Sequence, residues 1–159
     1  MFSEFPDNPL SFPQSRRDMH PLIRVGGVSI TFLKTRHETH GVLDLFEMII
    51  PPTSHMVLSH LHRDYDETVI GLNGITTWTI DGTDYKLHRG EQLFIPRGAV
   101  HTYTNRHKHT ARVMFILTPG LIGPEYFQDL ATVINVDGPP NLAAIGSVMT
   151  RYGVVPVTT

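Results

Sequence analysis

Two short stretches of this chain concentrate residue types that bind metal ions. The first, HLHRDYDETVIGLNG, sets His60, His62, Glu67 and Gly74 in the spacing H-x-H-x4-E-x6-G. The second, GEQLFIPRGAVHTYTN, sets Gly90, Pro96, Gly98, His101 and Asn105 in the spacing G-x5-P-x-G-x2-H-x3-N. Together they offer three imidazoles and one carboxylate, a ligand set for a single divalent ion. His60 and His62 are two positions apart, so on a strand their side chains leave one face about 6.6 Å apart at the backbone, within reach of one cation. Glu67 follows the interruption Asp64-Tyr65-Asp66, which can return the chain to the same inner face, and His101 arrives from a strand remote in sequence. Gly74, Gly90 and Gly98 read as turn residues where a side chain would clash, and Pro96 stiffens the approach to His101.

The elements that must position these residues are strands. From Val28 onward the chain runs in short apolar segments such as VSITFLKT and VLDLFEMII, rich in β-branched and aromatic residues. Asn73-Gly74 and Asp81-Gly82 mark tight turns of the type I′ kind, and TTWTIDGTDYKL reads as a hairpin. EQLFIP, VHTYT and TARVMFIL follow as further strands, giving about eight to ten in all, the pattern of an antiparallel barrel or jelly roll. After Pro119-Gly120 the period changes to that of helices. Pro124 suits a first helical position, ahead of a stripe of Tyr126, Phe127, Leu130, Val133 and Ile134. Asn141 suits the cap of a second helix, with Leu142, Ile145, Met149 and Tyr152 on one face and Gly153 as its stop. The expected organisation is an extended or partly disordered arm over 1–21, a β-barrel over 22–120 and a helical tail over 121–159 packed on the barrel.

The two spacings are those of the paired motifs of the cupin superfamily, which this chain resembles over about residues 55–118. Ser54 stands where that family often has glycine. The resemblance implies a mostly β, antiparallel jelly-roll barrel with His60, His62, Glu67 and His101 as metal ligands. It is strongest toward the small cupins grouped with quercetin dioxygenase. That likeness implies oxygenative cleavage of a small aromatic or enolisable substrate, with no organic cofactor and with Glu67 as ligand or as catalytic base. Iron(II) or manganese(II) is the favoured metal, and nickel(II), copper(II) and zinc(II) also accept the set. Small cupins are usually homodimers, so a homodimer is expected. Two alternatives stand beside the oxygenase: a metal-dependent isomerase or decarboxylase acting on a sugar or small acid, and a non-catalytic binder of small molecules. The first calls for pocket arginines or lysines, for which Arg97 and Arg112 are the nearby candidates.

Composition narrows the partners. A formal net charge of −2 over 159 residues supplies no long-range field for nucleic acid or an anionic membrane, so binding rests on a local site for a small molecule. No run of 18 apolar residues occurs, and Arg16-Arg17 is followed by Asp18, His20 and Pro21 where a signal would be apolar; a cytoplasmic location is expected. With no cysteine, any metal meets only nitrogen and oxygen. Other histidines compete poorly. RHETH at 36–40 lacks one residue of the H-E-x-x-H zinc helix, leaving His37 and His40 three apart. His107 and His109 fall in a basic stretch that reads as an exposed loop, and His55 and His88 have no partner pattern. Asn105 suits a structural hydrogen-bonding role better than ligation. Tyr103 shares the inward parity of His101. Either Val113 and Phe115 or Met114 and Ile116 must also face in, while Trp78 and Phe46 are possible lining residues.

Overall fold

Short β-rich segments that are apolar on one face bury it by stacking two sheets, and this chain does so. The computed structural model describes residues 20–158, so most of the expected arm at 1–21 lies outside the described residues. Ten strands come first: β1 (Ile23–Val25), β2 (Val28–Lys34), β3 (Asp44–Ile50), β4 (His60–His62), β5 (Asp66–Asn73), β6 (Thr76–Ile80), β7 (Thr83–Leu87), β8 (Gln92–Ile95), β9 (His101–Thr104) and β10 (Ala111–Thr118). Helices α1 (Gly123–Ile134) and α2 (Leu142–Arg151) and a last strand, β11 (Val154–Pro156), complete the chain. One sheet has the order β1-β2-β3-β10-β5-β8 and the other β11-β4-β9-β6-β7, every pair antiparallel. This is the mostly β jelly roll with two C-terminal helices that the sequence implied.

Inward residues alternate along the strands as a half-buried sheet requires. On β10, Ala111, Val113, Phe115 and Leu117 face in, and Met114 and Ile116 are only half-buried, which settles the parity left open above. Between the sheets Phe46 stacks on Phe115 with centroids 4.9 Å apart and meets Phe127 of α1 edge-on at 5.2 Å. Trp78 is buried against Tyr103 and Phe115. The Asp81-Gly82 turn has positive φ at both residues, 46° and 81°, and joins β6 to β7 as the expected hairpin. Asn73-Gly74 differs from that expectation. Only Gly74 has positive φ, at 69°, because the chain here turns a corner from one sheet to the other instead of closing a hairpin.

The helices pack on each other and against the edge strands β1 and β11, one from each sheet. Pro124 sits in the first turn of α1, as expected, yet its cap residue Ile122 has no side chain that can accept a hydrogen bond. Asp44 of β3 does the work: its Oδ2 accepts from the N–H groups of Ile122 and Gly123 at 3.2 and 3.1 Å, and its Oδ1 accepts from Arg36 N–H at 2.7 Å. A fully buried carboxylate thus anchors the positive end of α1 to the sheet. Asn141 caps α2 through Ala144 N–H. The buried face of α2 is Ile145, Val148 and Met149, while Leu142, placed on that face from sequence, stays 52% exposed because the helix meets the barrel only from its second turn. The tail is also not wholly helical. β11 returns to the barrel and pairs with β4, Val154 opposite His62 and Pro156 opposite His60. Pro156 is tolerated there because β11 is an edge strand.

Candidate metal centre

The register of two strands brings the histidines together. His60 on β4 lies directly opposite His101 on β9, and His62 is the next inward residue on β4. The ring centroids are 4.5 Å apart for His60 and His101, 4.7 Å for His62 and His101, and 5.1 Å for His60 and His62. One nitrogen from each ring falls in a group no more than 4.8 Å across, and all three residues are buried. Glu67 enters from the other wall. The bend at 63–65 carries the chain across to the six-stranded sheet, where Glu67 pairs with Leu117 and Ile95 and faces inward. Its Oε2 lies 3.6 Å from His62 Nδ1 and 3.8 Å from His101 Nε2, outside the tighter histidine group. The return of Glu67 to the site is therefore across the sandwich and not along one face.

Backbone carbonyls orient two of the rings. His60 Nδ1 lies 3.3 Å from Leu58 O and His101 Nδ1 lies 3.0 Å from Ala99 O. A carbonyl can only accept, so Nδ1 carries the proton in each and Nε2 keeps its lone pair for the interior. His101 Nε2, His62 Nδ1 and Glu67 Oε1 are buried with no hydrogen-bond partner among the described residues. Leaving several such atoms unpaired in one place is costly, and a cation among them would satisfy all of them at once. The donor set, nitrogen and carboxylate oxygen around a small gap, fits a first-row divalent ion.

Burial also sets the protonation states. The His60 imidazole is pushed down to about 3, by burial first and then by its neighbour His101. His62 and His101 are lowered as well, again chiefly by burial. Burial pushes Glu67 up to about 8. The short His62–Glu67 and His101–Glu67 distances are thus not ion pairs at neutral pH in the metal-free protein. They are contacts of neutral imidazoles with a protonated carboxyl. Neutral imidazoles are the form in which histidine binds metal.

Around this centre opens a cavity of about 340 Å3. Its walls include Phe46, Met48, Phe115 and Leu117 from the sheet and Tyr126, Phe127, Ile145 and Met149 from the helices. Phe46 and Tyr103 line it as the sequence suggested, whereas Trp78 is core behind the lining. Sequence reasoning missed Tyr65, which stacks on His62 with centroids 4.4 Å apart and also lines the cavity. Its place in an irregular bend gave no parity to read.

The surrounding motif residues act on the backbone. Asn105 Nδ2 donates to the carbonyls of Ile50, Pro51 and His109, and its Oδ1 accepts from His107 N–H, which is the structural role expected. Gly98 has φ of 85° and donates its N–H to His62 O at 2.8 Å, tying the turn before β9 to the end of β4. A Cβ at Gly90 or Gly98 would meet nothing within 4 Å, so their requirement is backbone conformation and not the clash expected. Near Ser54 the left-handed residue is Thr53, at φ 60°. His37 pairs with Glu125 on the surface, away from the triad, and His55, His88 and His109 are exposed. Arg97 pairs with Asp66, and Arg112 with Glu47, both outside the cavity.

Comparison with known proteins agrees with this geometry. Residues 46–117 match the cupin domain family (Cupin_2), a stretch that includes His60, His62, Glu67 and His101. The chain has the cupin fold, with a buried three-histidine candidate metal site inside the matched stretch. It is 33% identical over 69 residues to the tetracenomycin polyketide synthase protein TcmJ of Streptomyces glaucescens, covering 43% of this chain and 46% of that protein. The match thus spans less than half the length of that relative. An uncharacterized protein of Aquifex aeolicus is 29% identical over 115 residues, covering 71% of this chain and 91% of its own length. Among solved structures, KdgF from Halomonas sp. superposes with a TM-score of 0.56 at 15% identity, over 63% of this chain and 86% of that one, a likeness of fold. Among the described residues no helix is long and apolar enough to cross a membrane.

Proposed function

We propose that this protein is a metal-dependent cupin enzyme that acts on a small, neutral, aromatic or enolisable substrate, with dioxygenase-like chemistry. His60, His62 and His101 would hold one first-row divalent ion, iron(II) or manganese(II) by preference, with Glu67 as fourth ligand or as base. The observation that supports this reading is the union of three inward imidazoles, with the Glu67 carboxyl beside them, and an apolar cavity of about 340 Å3. That volume lies at the small end of the range for small-molecule sites, about 300–1,000 Å3.

The ion would supply Lewis-acid polarisation of a substrate oxygen and a place for dioxygen. The chain's own residues do the rest. Imidazoles kept neutral by burial present lone pairs without having to lose protons first. A nearby divalent charge favours the carboxylate form of Glu67, which in that form can accept the proton of an enol or phenol. The apolar walls exclude water and favour flat, uncharged molecules over anions. This last point weighs against an isomerase or decarboxylase of anionic acids, since Arg97 and Arg112 are both spent on surface carboxylates.

Similarity to a polyketide synthase protein favours a second reading of the same site. Polyketides are chains of enolisable β-carbonyls, and a metal beside a proton-accepting carboxylate suits enol chemistry without oxygen. Oxygen uptake separates the two. The metal-loaded protein, given flavonols, catechols and β-diketones, is expected to consume oxygen with at least one of them. Turnover of a β-diketone without uptake would replace the oxygenase by the enol-chemistry reading. Neither uptake nor turnover would leave a binding protein.

A further inference from the structure

Among the described residues, Tyr103 and Trp78 pair their buried polar groups within the protein, whereas Tyr65, a residue of the cavity wall, does not. Tyr103 Oη donates to Met48 Sδ at 3.2 Å, and Trp78 Nε1 donates to Thr76 Oγ1 at 3.0 Å. Tyr65 is as deeply buried, at 1% exposure, and its ring is fixed by stacking on His62 with 23° between the planes. Yet its Oη is buried with no hydrogen-bond partner among the described residues. A buried hydroxyl left unpaired costs about 1–3 kcal/mol, and a phenylalanine in its place would avoid that cost while keeping the stack. A wall that keeps such a donor beside an apolar cavity has a place for an acceptor carried by a ligand. A phenol is protonated at neutral pH, so the hydroxyl is available as a donor. Much of the facing surface is aromatic, from Phe46, Phe115, Tyr126 and Phe127.

We propose that Tyr65 is a specificity-determining residue whose hydroxyl donates a hydrogen bond to a carbonyl oxygen of a flat, neutral aromatic ligand filling the cavity. The ligand class is therefore an aryl ketone, a quinone or a related polycyclic carbonyl compound. This assignment rests on the cavity being the substrate site, as proposed above. It does not depend on the metal.

The test uses two probes of nearly the same shape, fluorenone and fluorene, which differ by one carbonyl oxygen. Binding to metal-free protein is followed by quenching of Trp78, the single tryptophan, which packs against the cavity-lining Tyr103 and Phe115. Wild type is expected to favour fluorenone over fluorene by a ratio that falls on the order of tenfold in Y65F. Y65F should melt no lower than wild type, since the hydroxyl it loses has no partner in the protein. Equal ratios in the two proteins, failure of both probes to bind, or a clear loss of thermal stability in Y65F would each overturn the assignment. Metal content is measured in parallel. A protein that holds metal but shows equal ratios loses the Tyr65 assignment alone, and one that shows the shift without holding metal loses the metal reading alone.

Discussion

Metal binding at this site should release a proton, and the proton should come from Glu67. With its carboxyl pushed up to about 8, Glu67 is about 0.9 protonated at pH 7 in the metal-free protein. His60, pushed down to about 3, is already neutral there, and its two partners are shifted the same way. Loading manganese(II) at pH 7 should therefore expel about 0.9 of a proton, and about 0.1 at pH 9. Apparent affinity should rise close to tenfold between pH 6 and 7, about fivefold between 7 and 8, and level off above, because each step removes the same competing proton. Calorimetric titration at pH 7 in two buffers of different ionisation enthalpy counts the protons directly. Glu67→Gln keeps the shape of the side chain but carries no titrating proton, so its release should fall close to zero and its affinity should become nearly flat with pH. Equal proton release by wild type and Glu67→Gln would refute the reasoning, placing the carboxyl outside the metal equilibrium.

Further outcomes follow from burial and hydrogen bonding. In metal-free protein, His60 remains neutral when folded but takes a proton when unfolded between about pH 6.5 and 3. Stability should therefore fall with acid over that window at about 1.4 kcal/mol per pH unit for this group. Glu67 works in the opposite direction: the folded state holds a proton that the unfolded chain has lost between about pH 4.5 and 8, so this contribution falls as pH rises across that window and levels off above 8. His62 and His101 are shifted in the same direction as His60, so the histidines outweigh Glu67 below about pH 6.5 and urea unfolding should show a maximum near there; Glu67→Gln should lose the alkaline decline, and an unchanged decline would contradict the assignment. Asp44→Ala removes the acceptor of three backbone N–H groups and should cost about 3 kcal/mol or more in urea unfolding, with an effect under 1 kcal/mol counting against its role as the anchor of α1. Gly71→Ala would drive a Cβ into the backbone carbonyl of His88, so it should be far less stable than Gly90→Ala, whose added carbon meets nothing within 4 Å. Similar melting temperatures for those two variants would mean the strands yield there.

The site was more legible than its surroundings. The spacing of His60 and His62 needed only the period of a strand, and the Asp81-Gly82 turn needed only the conformational freedom of its two residues. By contrast, the inward set of β10 depended on which strands flank it, and that is decided by β3 and β5, more than 35 residues away. β11 was unreadable because three residues ending in proline carry no periodic signal; only the open edge of β4 makes them a strand. Glu67 was found as a ligand candidate, but its position on the opposite sheet follows from a bend no local rule describes. Tyr65 and the helix residues Ile145 and Met149 became cavity walls through tertiary packing alone.

Elemental analysis of protein purified without an affinity tag bears most directly on the three-histidine centre. Wild type is expected to hold close to one equivalent of a first-row metal, and His60→Ala and His101→Ala, each folded by circular dichroism, are expected to lose it. Equal, near-zero metal in all three proteins, or full retention by both variants, would contradict a metal centre at His60, His62 and His101.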